Sequence, residues 1–139
     1  MWIHEDDGDA APYATDITVA DQAVDDGVMS IVIPGHTKGH VAYHVDERFL
    51  FTGDALFWNH RRHELDVTPK QTWYSWEALA DSMDSIAHLS VDWVFPGHGK
   101  WHHIGSDLYS SQMAELGTAM RVRGQADWSR RPHTTFGWY

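Results

Sequence analysis

The chain has 139 residues, enough for one domain with a sizeable core, and its 20 acidic and 10 basic residues give a formal net charge of −10. This charge disfavours nucleic acid as a partner, because such binding needs a cationic surface, and the lack of cysteine excludes disulfides, thiolate zinc sites and cysteine nucleophiles. The sequence shows neither a signal-peptide pattern nor an apolar segment of membrane length, so we expect a cytoplasmic protein with no membrane partner.

The first half of the chain is predicted to consist mainly of strands. Short apolar runs bounded by turn signals predict strands at Met1–His4, Asp16–Val19 and Val28–Pro34. Residues 5–11 are mostly acidic and predict a short helical turn. Two further apolar runs, Val41–Val45 and Phe49–Thr52, flank three polar residues and predict an antiparallel β-hairpin.

The second half is predicted to contain a long loop, two helices and one more strand. Residues 57–71 have mixed polarity and predict the loop, and loops of that length are often functional lids. Apolar residues at helical spacing predict a helix over about residues 74–88. A strand at Val91–Phe95 follows, and then a second helix that begins at Ser106.

The C-terminal stretch, residues 124–139, is predicted to form an irregular but ordered tail, since its aromatic side chains would be costly to expose together. Beyond Gly97 the chain has five basic and three acidic residues, whereas residues 1–37 have eight carboxylates and no Lys or Arg. The tail is therefore expected either to lie against the acidic N-terminal segment or to bind an anion.

Taken together, the elements predict one domain over residues 1–139, of the α/β class in a layered α+β form. Its sheet is expected to be mostly antiparallel, with two main helices on one side. The other face of the sheet is then apolar and needs another layer, which a partner chain or a second copy of this chain could supply.

Three apolar runs end in a His or Asp next to glycine, at His40, Asp54 and His98. Zinc takes imidazole nitrogen and carboxylate oxygen as ligands, and its catalytic sites keep one position for water. Two metal ions about 3.5 Å apart can share a bridging carboxylate, a role that suits Asp54 at a strand end. The eleven histidines of the chain favour metal binding in general without locating it.

These motifs resemble a known family. Gly35-His-Thr-Lys-Gly-His40, Thr52-Gly-Asp54 and Phe95-Pro-Gly-His-Gly99 look like the later motifs of the metallo-β-lactamase superfamily, and its glyoxalase-II-like hydrolases are the nearest branch. The resemblance implies the C-terminal part of an αββα sandwich. It also implies a dinuclear site, usually of zinc and sometimes of iron or manganese.

The same resemblance implies roles for individual residues. His40 would bind the first metal, His98 would bind the second, and Asp54 would bridge the two and serve catalysis. His36, the first histidine of its motif, would be structural.

One motif of the family is missing from the sequence. The His-x-His-x-Asp-His segment, which supplies four ligands, is absent, and this chain has no His-x-His at all. Three explanations stay open: a shortened hydrolase, a site completed by another chain, or a half-domain that has lost catalysis. The three remaining ligands would hold one metal weakly, or the isolated chain would hold none.

The resemblance implies a hydrolase that acts on a thioester or related small acyl substrate, with a metal-bound hydroxide attacking a polarised carbonyl. The alternative is a non-catalytic half-domain that binds a partner chain or self-associates. Metal content separates the two hypotheses, because only the first needs a metal.

Overall fold

The computed structural model describes residues 2–10, 16–18 and 20–132. Within these ranges the strands are β1 (Trp2–His4), β2 (Asp16–Thr18), β3 (Gln22–Asp25), β4 (Val28–Val32), β5 (Val41–Val45), β6 (Phe49–Gly53), β7 (Phe57–Asn59), β8 (Glu64–Asp66), β9 (Trp93–Pro96) and β10 (His102–His103). The helices are α1 (Trp76–Ile86) and α2 (Ser106–Ser129), with short 3-10 helices at Glu5–Ala10 and Pro69–Gln71.

A six-stranded sheet in the order β10-β9-β6-β5-β4-β3 forms the centre of the fold. Its neighbouring strands are antiparallel, except that β6 and β9 run parallel. Two small sheets, the parallel pair β1–β2 and the antiparallel pair β7–β8, accompany it. The predicted mixed α/β class with a mostly antiparallel sheet is confirmed.

The predicted hairpin is β5–β6, with Tyr43 paired to Phe51 and Val45 to Phe49. Its turn residues Asp46 and Glu47 both adopt a positive φ, near 50°. That conformation gives the turn the twist that suits a tight hairpin. The local sequence thus brings β5 and β6 together, and β6 ends one residue before Asp54.

The two helices pack on one face of the sheet and against each other. Trp76 and Tyr109 each donate to a backbone carbonyl of the other helix, Trp76 Nε1 to Met120 at 2.9 Å and Tyr109 Oη to Ile86 at 2.9 Å. Ser75 caps the N-terminus of α1, and its side chain accepts a hydrogen bond from the Ala78 amide at 3.1 Å. The core lies between this helix pair and the inner residues of the strands.

The opposite face of the sheet carries a row of large apolar side chains. Phe49, Phe51, Trp93 and Phe95 alternate with the buried residues of β6 and β9 and are half-buried or exposed. Phe51 stacks on Phe95 with ring centroids 4.7 Å apart and keeps 42% of its surface exposed. We call these four residues and Trp101, which is 62% exposed, the aromatic face.

Residues 57–71, which the sequence predicts as a loop, instead contain the β7–β8 hairpin and a 3-10 turn. The prediction is wrong because the polar residues of this segment form hydrogen bonds with one another inside the fold. Asn59 Nδ2 donates to Asp66 Oδ2 at 3.0 Å, while Asn59 Oδ1 accepts from the amides of Arg61 and Arg62. Asn59 and Asp66 are buried despite their polarity.

The C-terminal region also differs from the prediction of an irregular tail over residues 124–139. Helix α2 is broken at Gly124, which has φ 70° and ψ 163°, but it resumes and continues to Ser129. The second part of the helix buries Trp128, which explains why it is ordered in helical form. Residues 133–139 lie outside the described residues. Neither described helix has the length and apolar character required to cross a membrane.

Candidate active site

The ends of the parallel strands β6 and β9 bring Asp54 and His98 together. The carboxyl ends of parallel neighbours open at the same edge of a sheet, where ligand sites commonly form. His98 Nδ1 donates to Asp54 Oδ1 at 2.7 Å, and the Gly97 amide donates to the Gly53 carbonyl at 2.7 Å. A Cβ at residue 97 would lie 2.9 Å from Asp54 Oδ1, so glycine allows this close approach.

His36 reaches the same carboxylate from the loop after β4. Its Nε2 lies 3.6 Å from Asp54 Oδ2, and its Nδ1 forms a hydrogen bond with the backbone carbonyl of Gln71. A backbone carbonyl on one nitrogen fixes the orientation of the ring, an arrangement typical of histidines that ligate metals through the other nitrogen. The Asp54 carboxylate therefore lies between His98 and His36.

His40 lies beside His36, with their rings edge to face and centroids 5.2 Å apart. Its Nε2 donates to the Thr52 carbonyl at 2.9 Å, so Nδ1 is the nitrogen that takes no part in this bond. Burial lowers the pKa of the His40 imidazole, and the neighbouring His36 lowers it further. A Cβ at residue 53 would lie 2.7 Å from His40 Cε1, so His40 packs directly against the glycine before Asp54.

The loop that carries both histidines is held by the acidic 3-10 helix near the N-terminus. Thr37 Oγ1 and the Gly39 amide both donate to the Asp7 carboxylate, the second at 3.1 Å. Lys38 pairs with Asp6 at 2.7 Å, and this exposed contact raises the pKa of the lysine. Sequence reasoning missed these contacts, and the run of acidic residues was the one available signal for them.

The donors that converge here match the chemistry of a zinc site in type, since they are imidazole nitrogen and carboxylate oxygen. Among the described residues, however, no group of three or more His, Asp or Glu side chains is arranged so that it could hold an ion directly. His36 and His98 approach different oxygens of Asp54. The two rings would have to move before all three side chains could share one ion.

Two tryptophans pack against histidines in this part of the chain. Trp73 packs against His36 with ring centroids 4.6 Å apart and is 70% exposed. Trp58 stacks on His102 at 4.1 Å, and His60 meets the edge of the His102 ring at 5.4 Å. Burial and the nearby histidines lower the pKa of His102.

Comparison with known proteins reveals similarity to one superfamily. The family model described as Metallo-beta-lactamase superfamily matches residues 4–98. A hydroxyacylglutathione hydrolase from Shewanella sp. (strain ANA-3) is 44% identical over 57 residues, which are 41% of this chain and 21% of that protein. The enzyme of the same name from Pectobacterium atrosepticum is 43% identical over 54 residues, which are 39% of this chain and 21% of that protein. The match thus spans about a fifth of the length of these relatives.

Solved structures show the same fold. A metallo-beta-lactamase superfamily protein from Sulfolobus tokodaii superposes with a TM-score of 0.50 at 24% identity, covering 76% of this chain and 40% of that one. A metallo-beta-lactamase family protein from Thermus thermophilus has a TM-score of 0.50 at 19% identity, covering 79% of this chain and 36% of that one. At these identities the likeness concerns the fold alone.

Proposed function

This chain belongs to the metallo-beta-lactamase superfamily, and on that basis we propose that it forms the C-terminal part of a metal-dependent hydrolase for a thioester or related acyl substrate. The observation that carries the proposal is the convergence of His98 and His36 on the Asp54 carboxylate at the ends of β6, β9 and β4. The acyl substrate class is supported by the similarity to hydroxyacylglutathione hydrolases over 54–57 residues.

Asp54 and His98 would hold the metal together with one histidine of the Gly35–His40 motif, once the rings move from their present positions. A bound zinc ion, or iron or manganese, would act as a Lewis acid that polarises the acyl carbonyl. Asp54 orients the His98 ring through its 2.7 Å hydrogen bond. The Gln71 carbonyl fixes the His36 ring so that Nε2 faces Asp54.

His40 remains the ligand that the family resemblance implies, and the geometry supplies a specific alternative for it. Its Nε2 donates to the Thr52 carbonyl and so holds the end of β6, and burial lowers its pKa. We therefore propose His36 as the ligand from this motif and His40 as a positioning residue. The two assignments differ in which substitution removes the metal.

Zinc titration of the purified chain by calorimetry tests the metal centre. We expect His36→Ala, Asp54→Ala and His98→Ala each to weaken zinc binding at least tenfold, whereas His40→Gln retains it. The exposed His88 offers a control, His88→Ala, that removes a histidine outside these contacts. Loss of zinc in His40→Gln with retention in His36→Ala would return the ligand role to His40, and unchanged zinc binding in all variants would refute the metal centre.

Thioester hydrolysis can be followed by release of the thiol, and the chain adds no background because it has no cysteine. With zinc, iron or manganese supplied, we expect a hydroxyacylglutathione to be cleaved and Asp54→Asn to abolish the cleavage. The three donors are fewer than a dinuclear site requires, so a low rate is expected. If the chain binds zinc but releases no thiol with zinc, iron or manganese supplied, hydrolysis by this chain alone is refuted.

The aromatic face favours a second candidate function, the binding of a partner chain or of a second copy. Phe51 and Trp101 are large, exposed and part of one continuous cluster, and exposed apolar patches of this kind commonly mark interaction surfaces.

Light scattering after gel filtration over a dilution series would detect self-association. Phe51→Lys should then shift the chain towards monomer, while Val122→Lys, at an exposed position on α2, should not; a monomer at every concentration refutes self-association.

A further inference from the structure

A cleft of about 330 Å³ lies between the β7–β8 hairpin and the two parts of α2. Its apolar lining comes from Leu65, Leu116, Ala119 and the buried Trp128. Volumes of this size are at the lower end of the range for small-molecule sites. His36, His40, Asp54 and His98 are not among its lining residues, so the cleft is separate from the candidate active site.

Three arginines and two glutamates line the same cleft, Arg62, Arg123, Arg131, Glu64 and Glu115. The lining thus holds three positive and two negative groups, and Asp66, which lies 3.7 Å from Arg131, supplies a third negative group next to it. The sequence already indicated a local excess of basic residues beyond Gly97, and the break at Gly124 is what returns Arg131 to the hairpin.

The arginines differ in how far they are already neutralised. Arg62 Nε and Arg131 Nη2 both donate to Glu64 Oε1, the first at 2.6 Å, and Arg131 Nη1 also lies 3.7 Å from Asp66 Oδ1. Arg131 is also fixed in place, with its guanidinium 4.0 Å from the centroid of the Trp128 ring. Arg123 is exposed, and no acidic side chain among the described residues forms an ion pair with it.

We propose that this cleft binds a small organic monocarboxylate with an apolar body. The carboxylate would pair with Arg123, since guanidinium groups bind carboxylates through two parallel hydrogen bonds. The apolar body would occupy the space against Leu65, Leu116 and Ala119. One arginine without an acidic partner matches a monoanion better than a phosphate, which carries more negative charge.

Benzoate is a suitable probe, and the indole N–H of Trp128 is a reporter inside the cleft. In a ¹⁵N-labelled chain at low salt we expect a saturable shift of this signal on titration with benzoate. Arg123→Gln should weaken the apparent affinity at least tenfold, and the neutral benzyl alcohol should bind the wild-type chain correspondingly weakly. Ala119→Trp should fill the cleft and remove the shift while Arg123 remains.

The control Arg48→Gln removes a different exposed arginine, which pairs with Asp92, and should leave benzoate binding unchanged. Arg123 is exposed, so its substitution is not expected to unfold the chain, which a thermal melt of each variant checks. The absence of a saturable shift, equal benzoate affinity in Arg123→Gln and wild type, or inorganic phosphate binding as tightly as benzoate would each overturn the proposal.

Discussion

Asp66 is a buried carboxylate whose two oxygens both accept hydrogen bonds. Oδ1 accepts from Trp128 Nε1 at 2.9 Å and from the Val67 amide at 2.9 Å, and Oδ2 accepts from Asn59 Nδ2 at 3.0 Å. Burial raises the pKa of the Asp66 carboxyl, although these donors and the nearby Arg131 oppose the rise. One side chain therefore joins β8, the end of β7 and the second part of α2.

Replacing Asp66 with asparagine should destabilise the fold. An amide has only one acceptor oxygen, so its NH₂ group must face at least one of the present donors. We expect the free energy of unfolding to fall by about 1–3 kcal/mol, the typical cost of an unsatisfied buried polar group. Urea unfolding measures it, with Asp127→Asn at an exposed position as the control, expected within about 0.5 kcal/mol of wild type. Equal stability of Asp66→Asn and wild type would show that the carboxylate does not need both oxygens as acceptors.

At the scale of elements, Gly124 decides the course of the C-terminal helix. Its φ of 70° and ψ of 163° lie in a region that is essentially restricted to glycine. The break turns the chain so that Trp128 is buried with only 2% exposure and Arg131 reaches Glu64. The residues on both sides are helical, so the break acts as a hinge point between two packed segments.

Gly124→Ala should destabilise the chain by about 1–3 kcal/mol, because alanine is strained in this conformation. We expect the near-ultraviolet circular dichroism signal of Trp128 to be lost and the chain to unfold at a lower urea concentration. Gly8→Ala is the control, since no atom lies within 4 Å of a Cβ there and its φ is not positive. Unchanged stability of Gly124→Ala would mean that the helix can continue without the break.

Local patterns predicted the elements whose contacts are near in sequence. The β5–β6 hairpin and α1 follow from alternation and helical spacing, and both are present. The β7–β8 hairpin was missed because its buried positions include Asn59 and Asp66, whose polarity is compensated only within the fold. No residue pattern near Gly124 indicated that the chain would resume a helix, because the stabilisation comes from the distant packing of Trp128.

At the scale of the whole molecule, the sequence predicts the position of site residues that directly follow strands. It does not predict which of two histidines in the same loop faces the site. Asp54 and His98 follow β6 and β9, and the parallel pairing of those strands places them together. His36 and His40 lie in one loop, and the motif alone does not say which faces Asp54. That choice depends on long-range contacts, such as the Gln71 carbonyl on His36.

The pH dependence of stability is a further property of the whole molecule, and His102 provides a way to test it. The pKa of His102 is lowered from its ordinary 6.5, so below that value the unfolded chain binds a proton that the folded chain resists. Stability should therefore fall as the pH is lowered through about 6.5 towards the folded pKa. Asp66, with its raised pKa, acts in the opposite sense at lower pH, because its folded carboxyl takes up a proton more readily than the unfolded one.

His102→Phe isolates the histidine contribution, because phenylalanine can keep the stack on Trp58 and does not titrate. We expect the melting temperature of the wild-type chain, measured with a chelator present, to fall more between about pH 8 and pH 5.5 than that of the variant. The Asp66 contribution is common to both chains and cancels in the difference. Above about pH 8 the difference should be constant, since His102 is then neutral in both the folded and unfolded states. Parallel curves over the whole range would show that His102 ionises as readily in the fold as in the unfolded chain.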